Sequence, residues 1–143
     1  MPNLLILPEL VDAAQAVIGD LDLPGWTIHN KELITVMDDT LPAVVLWMLD
    51  STVTDDDLSM DTPQLSKAQL VVELRSTMGP TGSIIKTLAP TADLIYKAFQ
   101  ANDPFIGMGV HQWGLRNVQT LGSSENAKYC GLTLLFEINY MSN

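Results

Sequence analysis

The stretch LDSTVTDDDLSMDTP, Leu49 to Pro63, holds five carboxylates in fifteen residues: Asp50, Asp55, Asp56, Asp57 and Asp61. Side chains of that type at that density can chelate a hard cation, supply a catalytic acid and base, or solvate a turn. A calcium loop of the EF-hand kind needs alternating oxygen ligands, a central glycine and a closing glutamate; this stretch has neither of the last two. Successive residues of an extended chain point to opposite sides, so Asp55, Asp56 and Asp57 converge poorly on one ion. A two-carboxylate hydrolase holds its acid and base in opposed environments, and nothing here implies the cleft that would do so. The pattern favours a solvated connection between two strands. A weak divalent-cation or subunit-seam role is the second reading, and a small metal-dependent hydrolase the third.

Other motifs fail on spacing. In GPTGSIIKT, Ser83, Ile84 and Ile85 separate Gly82 from Lys86, whereas a phosphate loop needs the lysine directly after its last glycine. GMGVHQWG lacks the third glycine of a dinucleotide fingerprint and reads as an extended segment with bends. His29 and His111 are far apart in sequence and lie in no metal-binding motif. Ser123 lacks the G-x-S-x-G elbow of a serine hydrolase. Cys130 is the only cysteine, which rules out an internal disulfide and a cysteine-rich zinc site; in its strand-like run it is expected to be a small buried hydrophobe. Trp26, Trp47 and Trp113 are expected as core or interface anchors. No enzyme signature survives, and no cofactor is implied.

The totals agree with a structural role. A chain of 143 residues fits a single domain spanning 1–143, long enough to bury roughly 68–70% of its unfolded surface. With 17 acidic and 7 basic side chains the net charge is −10. Nucleic-acid backbones are held by clustered cations, and seven scattered ones make no such footprint. No apolar run reaches the roughly 18 residues of a membrane span. The opening MPNLLILPELVD has no basic region or small-residue cleavage site and is expected not to be a signal peptide. The chain is expected in a cytosol, or in something assembled there.

The elements that must position these residues follow from periodicity. Leu10, Ala14, Val17 and Leu21, widened by Val11 and Ile18, form a helical stripe over 8–21, with Pro8 at its first position and a turn following at Pro24–Gly25. WTIHNKELITVMDD is expected as two short extended pieces. AVVLWML is apolar on both faces, which predicts a strand covered on both sides. LSKAQLVVELRS alternates, with Ala68, Leu70, Val72 and Leu74 inward, and Lys67, Gln69, Glu73 and Arg75 outward together with Val71. Leu88, Ala92, Ile95 and Phe99 predict a second helix, kinked at Pro90 or beginning there. The segment 103–126 is expected extended and irregular. AKYCGLTLLFEINYM puts Cys130, Leu132, Leu134, Phe136, Ile138 and Tyr140 on one face. This order predicts an α+β fold, with two main helices packed on a largely antiparallel or mixed β-sheet.

Two stretches resemble a known family. LPAVVLWMLDSTVTDDDLSMDTPQLSKAQLVVEL (Leu41–Leu74) has a Pro-Ala-apolar strand, a short acidic and threonine-rich loop, and a strand ending in an apolar run. AKYCGLTLLFEINYM (Ala127–Met141) closes on Ile-x-Tyr. Both are similar, in the same order, to the tail terminator proteins of lambda-type long-tailed phages, over roughly a third of the chain. FIGMGVHQWG departs from that pattern. The resemblance implies a small α/β domain that assembles as a hexameric ring and caps the head-proximal end of the tail tube. There it stops polymerisation and offers a joining surface to the head. The implied partners are further copies of the chain, the tail tube protein and head-tail connector proteins. The implied location is the virion, assembled in the host cytoplasm.

In a ring each copy adds another −10, so repulsion opposes closure unless it is screened or bridged. The Asp55–Asp61 stretch is therefore expected near a ring surface or subunit seam, with a divalent cation such as magnesium as an assembly modulator. An acidic lumen would let DNA pass without holding it. Interface positions under this reading, chosen by position and composition, are Asp55, Asp56, Asp57, Asp61, Trp113 and Arg116. A neck adaptor or a tail-tube subunit is the structural alternative.

Overall fold

The computed structural model describes residues 5–29, 42–53, 64–77, 83–122 and 129–142. In chain order the elements are α1 (Ile6–Gly19), β1 (Thr27–His29), β2 (Ala43–Val53), β3 (Gln64–Thr77), α2 (Ile84–Ala101), β4 (Val110–Gly122) and β5 (Tyr129–Ser142). The strands form one five-stranded sheet in the order β1-β2-β3-β5-β4. Among the described residues, β1 runs parallel to β2, and the β2–β3, β3–β5 and β4–β5 pairings are antiparallel. The fold is α+β, as the element order predicts.

Helix α1 begins at Ile6, two residues before the expected start, and so takes Pro8 into its first turn. The first four N–H groups of a helix have no intrahelical acceptor, so a proline there gives up nothing. Its buried stripe is Ile6, Leu10, Val11, Ala14 and Ile18, while Val17 and Leu21 are packed at its margin. The turn after it closes with the Trp26 N–H donating to the Leu23 carbonyl at 3.1 Å. Gly25 supplies the positive φ of +79° that this Pro-Gly turn requires.

Helix α2 begins at Ile84 and runs through Pro90, so the proline neither starts nor ends it. Ser83 caps it by accepting the Lys86 N–H at 3.2 Å, which satisfies one of the orphan donors of the first turn. Leu88, Ala92, Ile95 and Phe99 are buried as predicted, while Pro90 lies on the exposed side.

Both helices cover one face of the sheet. Against them stand Val44 and Leu46 of β2, Ala68, Leu70, Val72 and Leu74 of β3, and the predicted face of β5, every one at most 4% exposed. The pleat fixes this assignment: a slip of one residue would turn each set to the other side.

The second face departs from expectation twice. In β2, Ala43 to Leu46 are buried, but Trp47 and Met48 are half-buried and Leu49 is 55% exposed. A bulge between Met48 and Asp50 interrupts the ladder there, so the strand is covered on both sides only over its first half. In β3, Val71 and Glu73, expected outward, are buried at 3% and 6%. The segment 103–126 is more regular than expected, since a turn with Gly107 and Gly109 at positive φ leads into a strand of thirteen residues.

Candidate functional site

The face away from the helices carries the polar and charged residues that the sheet brings together. Register aligns Trp47, Val71, Leu135 and Asn117 across four strands, with Glu73, Thr133 and Gln119 in the adjoining row. Together with Leu49 and Arg75 they line a groove of about 440 Å³. Its floor is apolar, and its charged content is the ion pair between Arg75 Nη2 and Glu73 Oε2 at 2.8 Å.

Toward the Val53–Gln64 end of the sheet lies a second charged group. Glu137 of β5 accepts a hydrogen bond from Arg116 Nε at 2.7 Å and faces Lys67 Nζ at 3.7 Å. Arg116 is the extra residue of a bulge in β4: Leu115 pairs with Phe136 and Asn117 with Leu135, leaving Arg116 unopposed. Such a bulge re-aims its side chain, here onto a carboxylate one strand away. Gly114, directly opposite Glu137, adds no side chain between them. Arg116, and behind it Lys67, hold the Glu137 carboxyl below its ordinary value of 4.5, against an opposing effect of desolvation. A carboxylate with a depressed folded value contributes stability above the unfolded value and loses it as pH falls through the folded one. Below about pH 4.5 the parent protein should therefore lose stability more steeply than Glu137→Gln. Urea midpoints measured from pH 6 down to pH 3 check this, and parallel curves for the two proteins would refute it.

The two histidines do not converge, since His29 lies on β1 and His111 on β4, the opposite edges of the sheet. Cys130 is buried on the helix side, its thiol directed at the Thr77 carbonyl at 3.7 Å, and burial pushes it above its ordinary value of 9.0. It is the small hydrophobe expected. Among the described residues no three of His, Cys, Asp and Glu gather as a metal site would need. Asp55, Asp56, Asp57 and Asp61 lie outside the described residues. The strands flanking them, β2 and β3, are antiparallel neighbours.

Trp113 packs inside the chain, edge-on to Phe99 and Phe105 at 6.1 and 5.9 Å and tilted on Phe136 at 6.0 Å. Arg116 is 64% exposed on the open face. The groove around Trp47 and Leu135 has no counterpart among the expectations drawn from the sequence. Its residues come from four strands, and the one hint was a strand too apolar for a single covered face.

No protein-family model matches the chain. No curated protein matches it either. Among solved structures, a chain from the virion of a native gene transfer agent particle is similar over 96% of this chain and 92% of that one. The identity is 14% and the TM-score 0.48.

Proposed function

We propose that this chain is a structural protein of a phage-like virion, a tail terminator whose copies close into a hexameric ring on the tail tube. The observation that carries the reading is the sheet's second face. An α+β domain that needed only its own core would turn a polar surface outward there. This one presents a groove with Trp47, Leu49, Val71 and Leu135, and Leu49 is 55% exposed. Apolar surface kept open to water marks a place where another protein sits. A free edge adds to it: among the described residues β4 pairs only with β5 over its thirteen residues, and an unpaired edge invites another chain. The resemblance of 41–74 and 127–141 to tail terminators supplies the specific role, which needs no catalytic part.

Addition of the purified protein to growing tail tubes tests it. A terminator halts elongation at substoichiometric amounts and appears as a ring at one tube end. Incorporation along the tube would instead identify a tube subunit, and no effect on growth with binding at the head side would identify a neck adaptor.

Divalent cations modulate closure in this reading, because they bridge carboxylates that otherwise repel. Sedimentation at fixed ionic strength should show larger species with magnesium than without. An unchanged distribution removes the ion from the account.

A further inference from the structure

Strand β4 stands at the border of the sheet, and its last part is bare on both faces. Arg116, Asn117, Val118, Gln119 and Thr120 are all exposed. Val118 lies in the helix-facing row opposite Leu134, which is 3% exposed, yet is itself 47% exposed. The cover given to β5 therefore stops short of β4. This border is also regular. Bulges interrupt β4 between Val110 and Gln112 and between Leu115 and Asn117, but from Asn117 to Gly122 its register against β5 is unbroken. That run is as long as an ordinary strand. It holds no proline and no charge, two of the devices that keep a border strand from pairing.

The ladder fixes which backbone groups face outward. In an antiparallel pair every second residue exchanges hydrogen bonds with its neighbour, and the residues between turn theirs away. The Met141 N–H donates to the Gly109 carbonyl at 3.0 Å, so Met141 turns toward β4. Strand β5 keeps an unbroken register against β3, so Leu135, Thr133 and Gly131 turn the same way. Their partners on β4 are Asn117, Gln119 and Leu121. Val118 and Thr120 therefore direct their N–H and C=O groups away from β5, and among the described residues no strand receives them.

We infer that the run Asn117–Gly122 is the joint between copies of this chain, where a strand of a second copy adds to the sheet through the main-chain groups of Val118 and Thr120. Main-chain bonds carry the affinity in strand addition of this kind. Charge favours a second copy as the occupant. Copies of net charge −10 repel, and approach is least opposed where carboxylates are fewest. The longest stretch of the chain without Asp or Glu runs from Pro104 to Ser124 and takes in all of β4. Strands β2, β3 and β5 each carry one carboxylate, at Asp50, Glu73 and Glu137. The inference rests on the self-association in the proposed function, whose joint it names, and is independent of the tail role.

Val118→Pro/Thr120→Pro in the full-length protein removes both outward donors and no bond to β5, a change that a border strand tolerates. Sedimentation velocity should show the concentration for half-association raised by about tenfold or more, the effect of two lost hydrogen bonds. Circular dichroism should match the parent. Val118→Thr/Thr120→Val exchanges the side chains, keeps the main chain and should associate like the parent. Hydrogen exchange of the parent needs no variant. On dilution below the association concentration, the Val118 and Thr120 amides should exchange about tenfold faster or more, while those of Gln119 and Leu121 hold their rates.

A folded proline variant that associates like the parent overturns the inference. Equal loss in the side-chain exchange variant does so too, as do unchanged Val118 and Thr120 amides on dilution. If the parent forms rings that the proline variant loses, the joint and the ring reading both stand. If it stops at a dimer that the variant loses, the joint stands and the ring falls. A parent that never associates removes both.

Discussion

Phe99→Ala should lower the free energy of unfolding by about 3–5 kcal/mol, the range for removing a large aromatic from a core that closes only partly around the space. Phe99 is fully buried and is the hub that joins α2 to the sheet. Its ring lies 5.2 Å from Phe136 on β5 and 6.1 Å from Trp113 on β4, tilted on one and edge-on to the other. Tyr96 stacks on Phe136 at 6.4 Å and Phe105 meets Trp113 at 5.9 Å. One truncation therefore removes contacts to two strands and loosens the ring stack around them. Aromatic pairs of this geometry add about 0.5–1.5 kcal/mol each beyond area burial, which places the expected loss in the upper part of the range. Phe99→Leu keeps most of the volume and should recover more than half. Urea denaturation followed by circular dichroism measures both. A loss under about 1.5 kcal/mol for the alanine variant, below the range for such truncations, would mean that the stack is not what fixes α2 to the sheet.

The second large effect is expected on the opposite face. Arg75→Met should cost about 3 kcal/mol or more, because it strips a buried carboxylate of its cation. The Glu73 side chain is 8% exposed and that of Arg75 17%, so little solvent screens their contact at 2.8 Å. The loss measures the charge left behind and not the worth of the pair. Glu73→Leu/Arg75→Met, which removes both charges and keeps the volume apolar, should return to within about 1 kcal/mol of the parent. A double variant as unstable as the single one would show that the pair is needed for the fold itself. That comparison also bears on function, since Glu73 and Arg75 line the groove. A stable double variant that no longer associates would assign the ion pair to recognition.

How much of this molecule is legible in its sequence varies by element. The face of β5 from Cys130 to Tyr140 can be read residue by residue. It sits beside the central strand with helices on one side, where a period of two has one meaning. Helix α1 is legible to within two residues because an amphipathic stripe shows its buried face, whereas its start depends on which N–H groups happen to lack partners. Local chemistry was less decisive at Pro90. Tertiary packing of Leu88, Ala92, Ile95 and Phe99 carries α2 through a residue whose helix propensity is about 3 kcal/mol worse than alanine.

The candidate site was legible only as ingredients. Glu137, Lys67 and Arg116 are far apart in the chain, and nothing in a one-dimensional pattern reveals that a bulge adds a residue to β4 and turns Arg116 toward the next strand. The same is true of the groove, which needs the register of four strands before Trp47, Val71 and Leu135 become neighbours. Composition and periodicity by themselves determined the fold class, the helix-facing sets of β3 and β5, and the surplus of negative charge, because each is a sum or a local repeat. Strand order, bulges and the burial of Val71 and Glu73 were decided only in three dimensions. Pairing between distant segments depends on how whole faces fit together, and no window of neighbouring residues contains that information.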